Sequence, residues 1–304
     1  MPEVTSLPRT YANMYQQALA SARQGDADAA IDTMIRIVER LLSISSETLQ
    51  RRESLARFAF AVGLQLVGLL GDEGRYNECV SVLQRLMKFQ PGEEDAIERH
   101  IAMVRAEEGS LDEARGSLAA LTERFPYDPL HWATLGQVEF SIGNYKEAEE
   151  AFLQAIEVSS SQEDTATFWH LLFLLYVEQG NTTEALGAWD KVADLNEDLA
   201  DARARGLYTF LLKIGDVSRL RRYLDSDPAP LRVEFYRGML AQRAGEFAQG
   251  RRRWERLLHM APLEYRTGRL EWAEAALRTG ATDKAIGTLL AGGSDVQSPH
   301  RLLL

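Results

Sequence analysis

The residues that could carry catalysis or metal binding are few, and the sequence does not gather them. The five histidines are spread along the chain: His100, His131, His170, His259 and His300. The sequence contains no Gly-rich phosphate loop with a Lys-Ser/Thr pair, no H-E-x-x-H, no G-x-S-x-G and no G-x-G-x-x-G. A lone histidine on a helix is more often a hydrogen-bonded residue than a metal ligand. We therefore predict no catalytic site, no metal and no cofactor.

The single cysteine and the densest basic cluster also have structural interpretations. One cysteine excludes an internal disulfide framework, and Cys79 stands where a small residue is needed for packing, so we expect an inert buried thiol. The run Arg251–Arg253, with Arg256, lies on a predicted helix. A solvated or acid-paired face is the expected state there, and an anion-docking patch is the alternative.

Charge is unevenly distributed along the chain. Residues 101–200 carry 19 acidic and 5 basic side chains, a net charge of −14, whereas residues 201–304 carry 12 and 18, a net of +6. The whole chain, at −11, lacks the basic surface that general nucleic-acid binding requires. The basic last third could meet an acidic partner or the acidic middle of another copy, so self-association is one alternative.

One apolar stretch, residues 58–70, has to be weighed as a membrane span. Its 13 residues would extend about 20 Å as a helix, short of the ~30 Å hydrocarbon core, and Gln65 interrupts it. We therefore predict a core helix and no membrane span. The first eight residues show no signal-peptide pattern, and together with the single cysteine this predicts a cytoplasmic location.

The elements that must position these residues are helices, because apolar residues recur at helical spacing throughout. Glycines separate the helical patterns at intervals of mostly 34–37 residues: Gly25, Gly74, Gly109, Gly143, Gly180, Gly215, Gly245 and Gly280. A glycine after a helix can close it in the left-handed conformation.

Each glycine is followed by the same spacing of side-chain sizes. Five residues on stands a small residue in most repeats, with Leu220 as the exception: Ala30, Cys79, Ala114, Ala148, Ala185, Gly250 and Ala285. Nine residues on stands a large one: Met34, Leu83, Leu118, Phe152, Trp189, Leu224, Trp254 and Leu289. The small residue permits close helix approach, and the large one, a turn further on the same face, fills the space between helix pairs.

This pattern resembles the tetratricopeptide repeat family. The match is closest in residues 129–162: Trp132, Leu135, Gly136, Gly143, Asn144, Tyr145, Ala148, Phe152 and Ala155. The resemblance implies an all-α fold, a right-handed α-solenoid of about eight helix–turn–helix repeats over residues 11–292. The repeats lie near 11–44, 60–93, 95–128, 129–162, 166–199, 201–230, 231–264 and 266–292, between an N-terminal segment 1–10 and a C-terminal tail 293–304.

Two departures from the regular repeat carry structural predictions. The first glycine interval is 49 residues, which leaves about 15 extra residues for a loop or for longer helices. Repeat 201–230 is short and ends in the Pro-rich segment 225–230, which should truncate its second helix and could bend the stack locally.

The resemblance also implies a function: a non-catalytic protein–protein interaction scaffold or assembly adaptor. In this family the first helix of each repeat lines a concave groove. The matching positions predict these groove residues: Arg99, His100, Met103, Gln137, Phe140, His170, Leu174, Arg205, Thr209, Lys213, Arg232, Phe235, Tyr236, Met239 and Arg243. Its basic members favour a peptide with acidic and apolar residues. A helical-repeat RNA-binding protein and a membrane-associated assembly factor are the alternatives.

Overall fold

The computed structural model describes residues 9–44, 53–87 and 94–260, together with residue 276 and residues 278–281. Within these ranges the chain forms helices and no strands. The helices are α1 Arg9–Arg23, α2 Ala27–Leu42, α3 Glu53–Asp72, α4 Tyr76–Leu86, α5 Glu94–Glu108, α6 Leu111–Arg124, α7 Pro129–Ile142, α8 Tyr145–Val158, α9 Gln162–Gln179, α10 Thr182–Leu195, α11 Glu197–Ile214, α12 Val217–Ser226, α13 Pro230–Arg243 and α14 Phe247–Met260. Two of these helices correspond to each of the first seven predicted repeats, which confirms the all-α repeat fold.

The chain divides into two compact units, Met1–Gln179 and Gly180–Leu304. In the first unit each helix from α1 to α9 packs on the next, and first helices of consecutive repeats also meet, α5 on α7 and α7 on α9. The second unit repeats this arrangement from α10 to α14, with α11 on α13. The division falls between α9 and α10, the two helices of the repeat predicted at 166–199.

The predicted turn glycines all adopt positive φ angles, between 70° and 98°. Gly143, at φ 92°, shows why: its N–H donates to the Phe140 carbonyl at 3.0 Å, and the next amide, of Asn144, donates to Glu139 at 2.9 Å. These bonds satisfy carbonyls that the end of α7 would otherwise leave unpaired. The turn prediction is therefore confirmed at every one of the eight positions.

The predicted small and large positions form the core between the helices. The described members of both sets are buried, including Ala148, Phe152 and Trp254. Two glycines on first helices make room for aromatic side chains. A Cβ on Gly136 would lie 2.6 Å from Phe152 Cε1, and one on Gly238 would lie 3.0 Å from Trp254 Cε2. Glycine on the first helix is thus the steric counterpart of the aromatic residue on the second.

Helix α3 is apolar and long enough to span a bilayer when only length and composition are considered. In the structure it packs against α2 and α4, with Ala59, Val62 and Leu66 fully buried, while Gln65 is exposed. This is the packing of a core helix, as the interrupted apolar run predicts. The 20 residues of α3 also take up part of the extra length between the first two repeats. Residues 45–52 of that junction lie outside the described ranges.

The short repeat behaves as the Pro-rich segment predicts. Helix α12 is 10 residues long and ends at Ser226, just before Pro228 and Pro230. Pro230 then opens α13, where a missing N–H costs nothing because the first amides of a helix have no intrahelical partner.

Candidate functional site

In the first unit the predicted groove residues lie on α5, α7 and α9, and their exposure varies. Gln137 is exposed, whereas Met103, Phe140 and Leu174 are partly buried. The Phe140 ring packs 5.9 Å from that of Tyr145. This face therefore offers partly covered apolar surface with a single exposed amide among the predicted residues.

Two predicted histidines of the first unit are largely withdrawn from solvent. His170 is buried and stacks on Phe173 at a ring-centroid distance of 5.9 Å, so its burial disfavours the predicted contact with a partner. His100 is partly buried, and this burial, assisted by the neighbouring positive charge of Arg99, lowers the pKa of its imidazole. His100 is therefore neutral at neutral pH and offers a partner a polar ring without charge.

A polar cluster that sequence reasoning missed lies at the N-terminal ends of α5 and α7. His131 is buried, with 1% of its side chain exposed, and its Nε2 lies 3.1 Å from Asp95 Oδ2 and 3.7 Å from Asp128 Oδ2. Arg99 is close enough for both carboxylates to raise its pKa, although burial outweighs them and lowers it. Arg99 is thus a partly buried member of this cluster, not the exposed groove cation that the repeat pattern predicts.

The same cluster has the composition of a metal site but not its charge balance. The ligand atoms of Asp95, Asp128 and His131 lie within 4.8 Å of one another, so they could hold a divalent ion. The Arg99 guanidinium beside them opposes a cation. Asp95 and His131 are 36 residues apart in the sequence, outside any local ligand-spacing motif, so no sequence signal could have revealed their approach. The prediction of no metal stays a prediction.

In the second unit α11 and α13 lie side by side in a constant register. Three of the hydrogen bonds that join them are between residues 31 positions apart: Arg232 with Asp201, Tyr236 with Arg205, and Arg243 with Leu212. In each case a side chain of α13 donates to a backbone carbonyl of α11. The repeated separation shows that the two first helices are locked in one alignment.

Arg232 has a structural role in place of the predicted binding role. Its Nε and Nη2 donate to the fully buried Asp227 carboxylate at 2.6 and 2.7 Å, and the same guanidinium pairs with Asp201. Asp227 also accepts from Tyr208 Oη at 2.8 Å and from the Ala229 amide at 2.7 Å. Four donors therefore satisfy one buried carboxylate, and Arg232, itself buried, is withdrawn from any partner.

The network shifts the ionisation of its members. Burial alone would raise the pKa of Asp227, but the hydrogen bonds from Arg232, Ala229 and Tyr208 outweigh it and lower that pKa below its usual value. Burial and the Asp227 hydrogen bond raise the pKa of Tyr208, and the bond to Asp227 raises that of Arg232. The three groups therefore hold their charge states across the neutral range.

Besides the buried Arg232, the predicted groove residues of α11 and α13 include exposed cations. Arg205, Lys213 and Arg243 are exposed, and Phe235 and Met239 beside them are partly buried. The predicted residue Thr209 is also exposed and shares a 2.9 Å hydrogen bond with the hydroxyl of Tyr236, which is buried and unavailable as an apolar contact. We call the surface of Arg205, Thr209, Lys213, Phe235, Met239 and Arg243 the basic face.

The arginine cluster on α14 is paired with acidic side chains. Glu234 lies 3.0 Å from Arg253 and 2.9 Å from Arg256, and Arg251 lies 3.6 Å from Glu255. The acid-paired interpretation of this cluster is confirmed, and the anion-docking alternative loses three of its four cations.

Cys79 is buried and its Sγ lies 3.4 Å from the Val67 carbonyl, as a weak S–H donor would. Burial raises the pKa of the thiol, which disfavours the reactive thiolate. The prediction of an inert packing residue is confirmed.

Comparison with known proteins agrees with this architecture. The tetratricopeptide repeat family matches residues 101–164 and 235–294. Together with the paired helices and the turn glycines, these two matching segments confirm the predicted resemblance to tetratricopeptide repeat proteins. Such repeats form protein–protein interaction scaffolds, stacking helix pairs into extended binding surfaces. No curated protein matches the sequence.

Solved structures are similar to this chain at low sequence identity. The chain is similar to pilF from Pseudomonas aeruginosa, with a TM-score of 0.51 and 17% identity over 73% of this chain and 97% of that one. It is also similar to a tetratricopeptide repeat protein from Parabacteroides merdae, with a TM-score of 0.48 and 14% identity over 88% and 99%. For pilF, an identity this low indicates a shared fold and nothing further.

Proposed function

We propose that this protein is a non-catalytic scaffold or assembly adaptor, and that the basic face of its second unit binds an acidic and apolar segment of a partner protein. The observation that carries the proposal is the combination of exposed Arg205, Lys213 and Arg243 with partly buried Phe235 and Met239. Cations beside accessible apolar side chains are what such a segment requires.

Two acidic residues on the same helices pair with arginines outside the basic face. Asp201 pairs with Arg232, and Glu234 pairs with Arg253 and Arg256. The exposed side chains of Lys213 and Arg243 would steer an acidic segment, which raises its association rate more than its final affinity.

The alignment of α11 on α13 makes the face a preformed surface. Arg205, Thr209 and Lys213 succeed one another at four-residue intervals and so lie along one side of α11. The hydrogen bonds between residues 31 positions apart hold α13, which carries Arg243, beside this side of α11. Because this surface is already ordered, the conformational entropy lost on binding is mainly that of the partner segment, which limits the total entropy cost.

The test is a pair of matched double charge reversals within the second unit. Arg205→Glu with Lys213→Glu removes the face, whereas Arg221→Glu with Arg222→Glu makes the same charge change at two exposed positions on the second helix α12. Affinity capture from the native organism with quantitative mass spectrometry should show partners that the first variant loses and the second retains. Circular dichroism should show both variants folded. Equal capture by both variants would contradict the assignment of the face.

Pairing between copies is a second candidate, favoured by the net charge of −14 over residues 101–200 and +6 over residues 201–304. Such an oligomer should dissociate between low and high salt, because exposed charge pairs are screened over about 8–10 Å at physiological ionic strength. Light scattering across a salt series measures this directly, and a monomer at every salt concentration removes the candidate. A cytoplasmic location stays a prediction that cell fractionation can test.

A further inference from the structure

The loop between α6 and α7, together with the first turn of α7, exposes three large apolar side chains. Phe125, Tyr127 and Leu130 are 37%, 84% and 39% exposed. Only three other large apolar residues in the described part of the chain are this exposed: Leu153, Ile214 and Val217. Scattered apolar residues on a surface need no explanation, but a cluster of three within six residues indicates an interaction surface.

These side chains line an open surface depression of about 460 Å³, which lies wholly within the first unit and which we call the loop pocket. Its lining residues are Arg124, Phe125, Pro126, Tyr127, Asp128, Pro129, Leu130 and Asp164. Asp164 belongs to the first turn of α9. The depression is open to solvent, so side chains of a partner segment could reach its lining residues.

The loop is held in place by hydrogen bonds at both ends. The Phe125 amide donates to the Leu121 carbonyl at 2.8 Å, and the Leu130 amide donates to Asp128 Oδ1 at 2.8 Å. Trp132 Nε1 donates to the Pro126 carbonyl at 2.9 Å, and two prolines further restrict the backbone. A surface already fixed in this way loses little entropy when a partner binds.

The charge of the loop pocket is negative. Its cation, Arg124, is engaged by Glu98 at 2.7 Å and lies 5.1 Å from the centroid of the Phe125 ring. The Asp164 carboxylate has no ion-pair partner among the residues that the structure describes, and Asp128 contributes a second carboxylate. The pocket therefore combines the negative charge of Asp164 with an exposed aromatic ring.

We propose that the loop pocket is a docking site for a partner-protein segment in which a basic side chain stands next to an apolar one. The basic group pairs with Asp164 and stacks on the exposed face of Tyr127, since cations bind aromatic faces. The apolar neighbour packs on Phe125 and Leu130. This site is separate from the basic face of the second unit and has the opposite charge preference.

The test uses fluorescence anisotropy of the full chain with three labelled synthetic peptides. One has a central Arg-Leu-Leu in a Gly/Ser background, and the others replace it with Glu-Leu-Leu or Arg-Ser-Ser. We expect the first to bind at least about tenfold more tightly than either of the others, because anchors in a pocket dominate interface energetics. Tyr127→Ser and Asp164→Asn should each weaken it about fivefold.

Two matched controls separate the loop pocket from its surroundings. Glu163→Gln removes the same charge one residue from Asp164, outside the pocket lining, and Leu153→Ser removes an exposed apolar side chain elsewhere in the unit. Both should leave the affinity within about twofold of the parent. The Arg205→Glu/Lys213→Glu variant should also bind the Arg-Leu-Leu peptide normally, so failure of the basic face and failure of the loop pocket are distinguishable.

Several results would overturn the proposal. They are equal affinity for the Arg and Glu peptides, equal affinity for the Arg-Leu-Leu and Arg-Ser-Ser peptides, or insensitivity to both Tyr127→Ser and Asp164→Asn. Sedimentation provides a further check, because a dimer of the parent chain that Tyr127→Ser abolishes would assign the pocket to a second copy and not to a basic partner segment.

Discussion

Consecutive first helices are joined by an acid–base contact in both units, but the two contacts differ in kind. In the first unit His131 of α7 meets Asp95 of α5, and in the second unit Arg232 of α13 meets Asp201 of α11. Both acids stand 14 residues before the glycine that closes their helix. Histidine forms an ion pair only when protonated, whereas arginine is charged at every accessible pH.

The surroundings of the two contacts differ more than the contacts themselves. Around Arg232 a buried carboxylate, Asp227, has four hydrogen-bond donors. Around His131, the buried atoms His131 Nδ1 and Arg99 Nε have no hydrogen-bond partner among the described residues. A fully satisfied polar network specifies one alignment, whereas an incomplete one costs about 1–3 kcal/mol for each unpaired group. The comparison indicates that the polar network around Arg232 is more complete than the one around His131.

Breaking the network of the second unit should have the largest effect. Asp227→Ala leaves Arg232 buried without its main partner, and removing one member of a buried pair typically costs about 3–5 kcal/mol. Urea unfolding followed by hydrogen exchange should locate the loss in α11–α13. Asp225→Ala, which removes an exposed pair with Arg237, is the control and should change stability little. Equal costs for the two variants would show that the network does not stabilise the unit.

The packing of a glycine against an aromatic ring offers a second comparison between the two units, with an intermediate expected effect on stability. A Cβ at position 136 would lie 2.6 Å from Phe152 and 3.2 Å from the Ala148 carbonyl, whereas one at position 238 would lie 3.0 Å from Trp254. Overpacking of a core costs about 1–3 kcal/mol, so Gly136→Ala should destabilise more than Gly238→Ala. Thermal unfolding of the two variants measures the order. A larger cost at position 238 would contradict the steric argument.

The contact of the first unit should be the weaker of the two acid–base contacts. Asp95→Ala removes a partly exposed carboxylate from a cluster that retains Asp128 near His131, and we expect a cost of about 1 kcal/mol. The measurement is urea unfolding in parallel with Asp227→Ala. If Asp95→Ala costs as much as Asp227→Ala, the incomplete cluster is as important as the complete one and the comparison fails.

The smallest expected effect is a pH dependence of folding stability that is confined to acidic pH. The folded-state pKa of Asp227 is lowered from its ordinary value of 3.8, so its stabilising contribution is full above that value and is lost as the pH falls through the lowered pKa. The stability difference between the parent and Asp227→Asn should therefore be constant near neutrality and shrink below about pH 4. Urea midpoints across an acid series measure it. A difference that shrinks between pH 8 and 6 would have to arise from another group.

Several features of the fold could be predicted because they depend on residues within one or two turns of each other. Gly143 closes α7 through bonds to residues three and four positions before it, and Pro228 prevents α12 from continuing. Gly136 and Phe152 share a helix pair with a short connection, so their complementary sizes are visible in the sequence. The predicted repeat boundaries follow from such local rules.

The accessibility of the candidate binding residues could not be predicted in the same way. Arg205 and Arg232 occupy similar faces of first helices, yet Arg205 is exposed and Arg232 is buried against Asp227. The sequence feature that indicates an ion pair for Arg232 is Asp227 in the Pro-rich segment. An assignment of groove positions from the repeat pattern alone does not take this aspartate into account.

The sequence by itself determined the helix pairs, their turns and the pairing of small with large residues, because each depends on backbone and size rules acting over a few residues. Only the tertiary structure decided which charged side chains are exposed and which are buried. It brought Asp95 to His131 across 36 residues and Asp201 to Arg232 across 31, and it gathered Tyr127 and Asp164 around one pocket. Such contacts depend on how one repeat stacks on the next, which a local pattern does not specify.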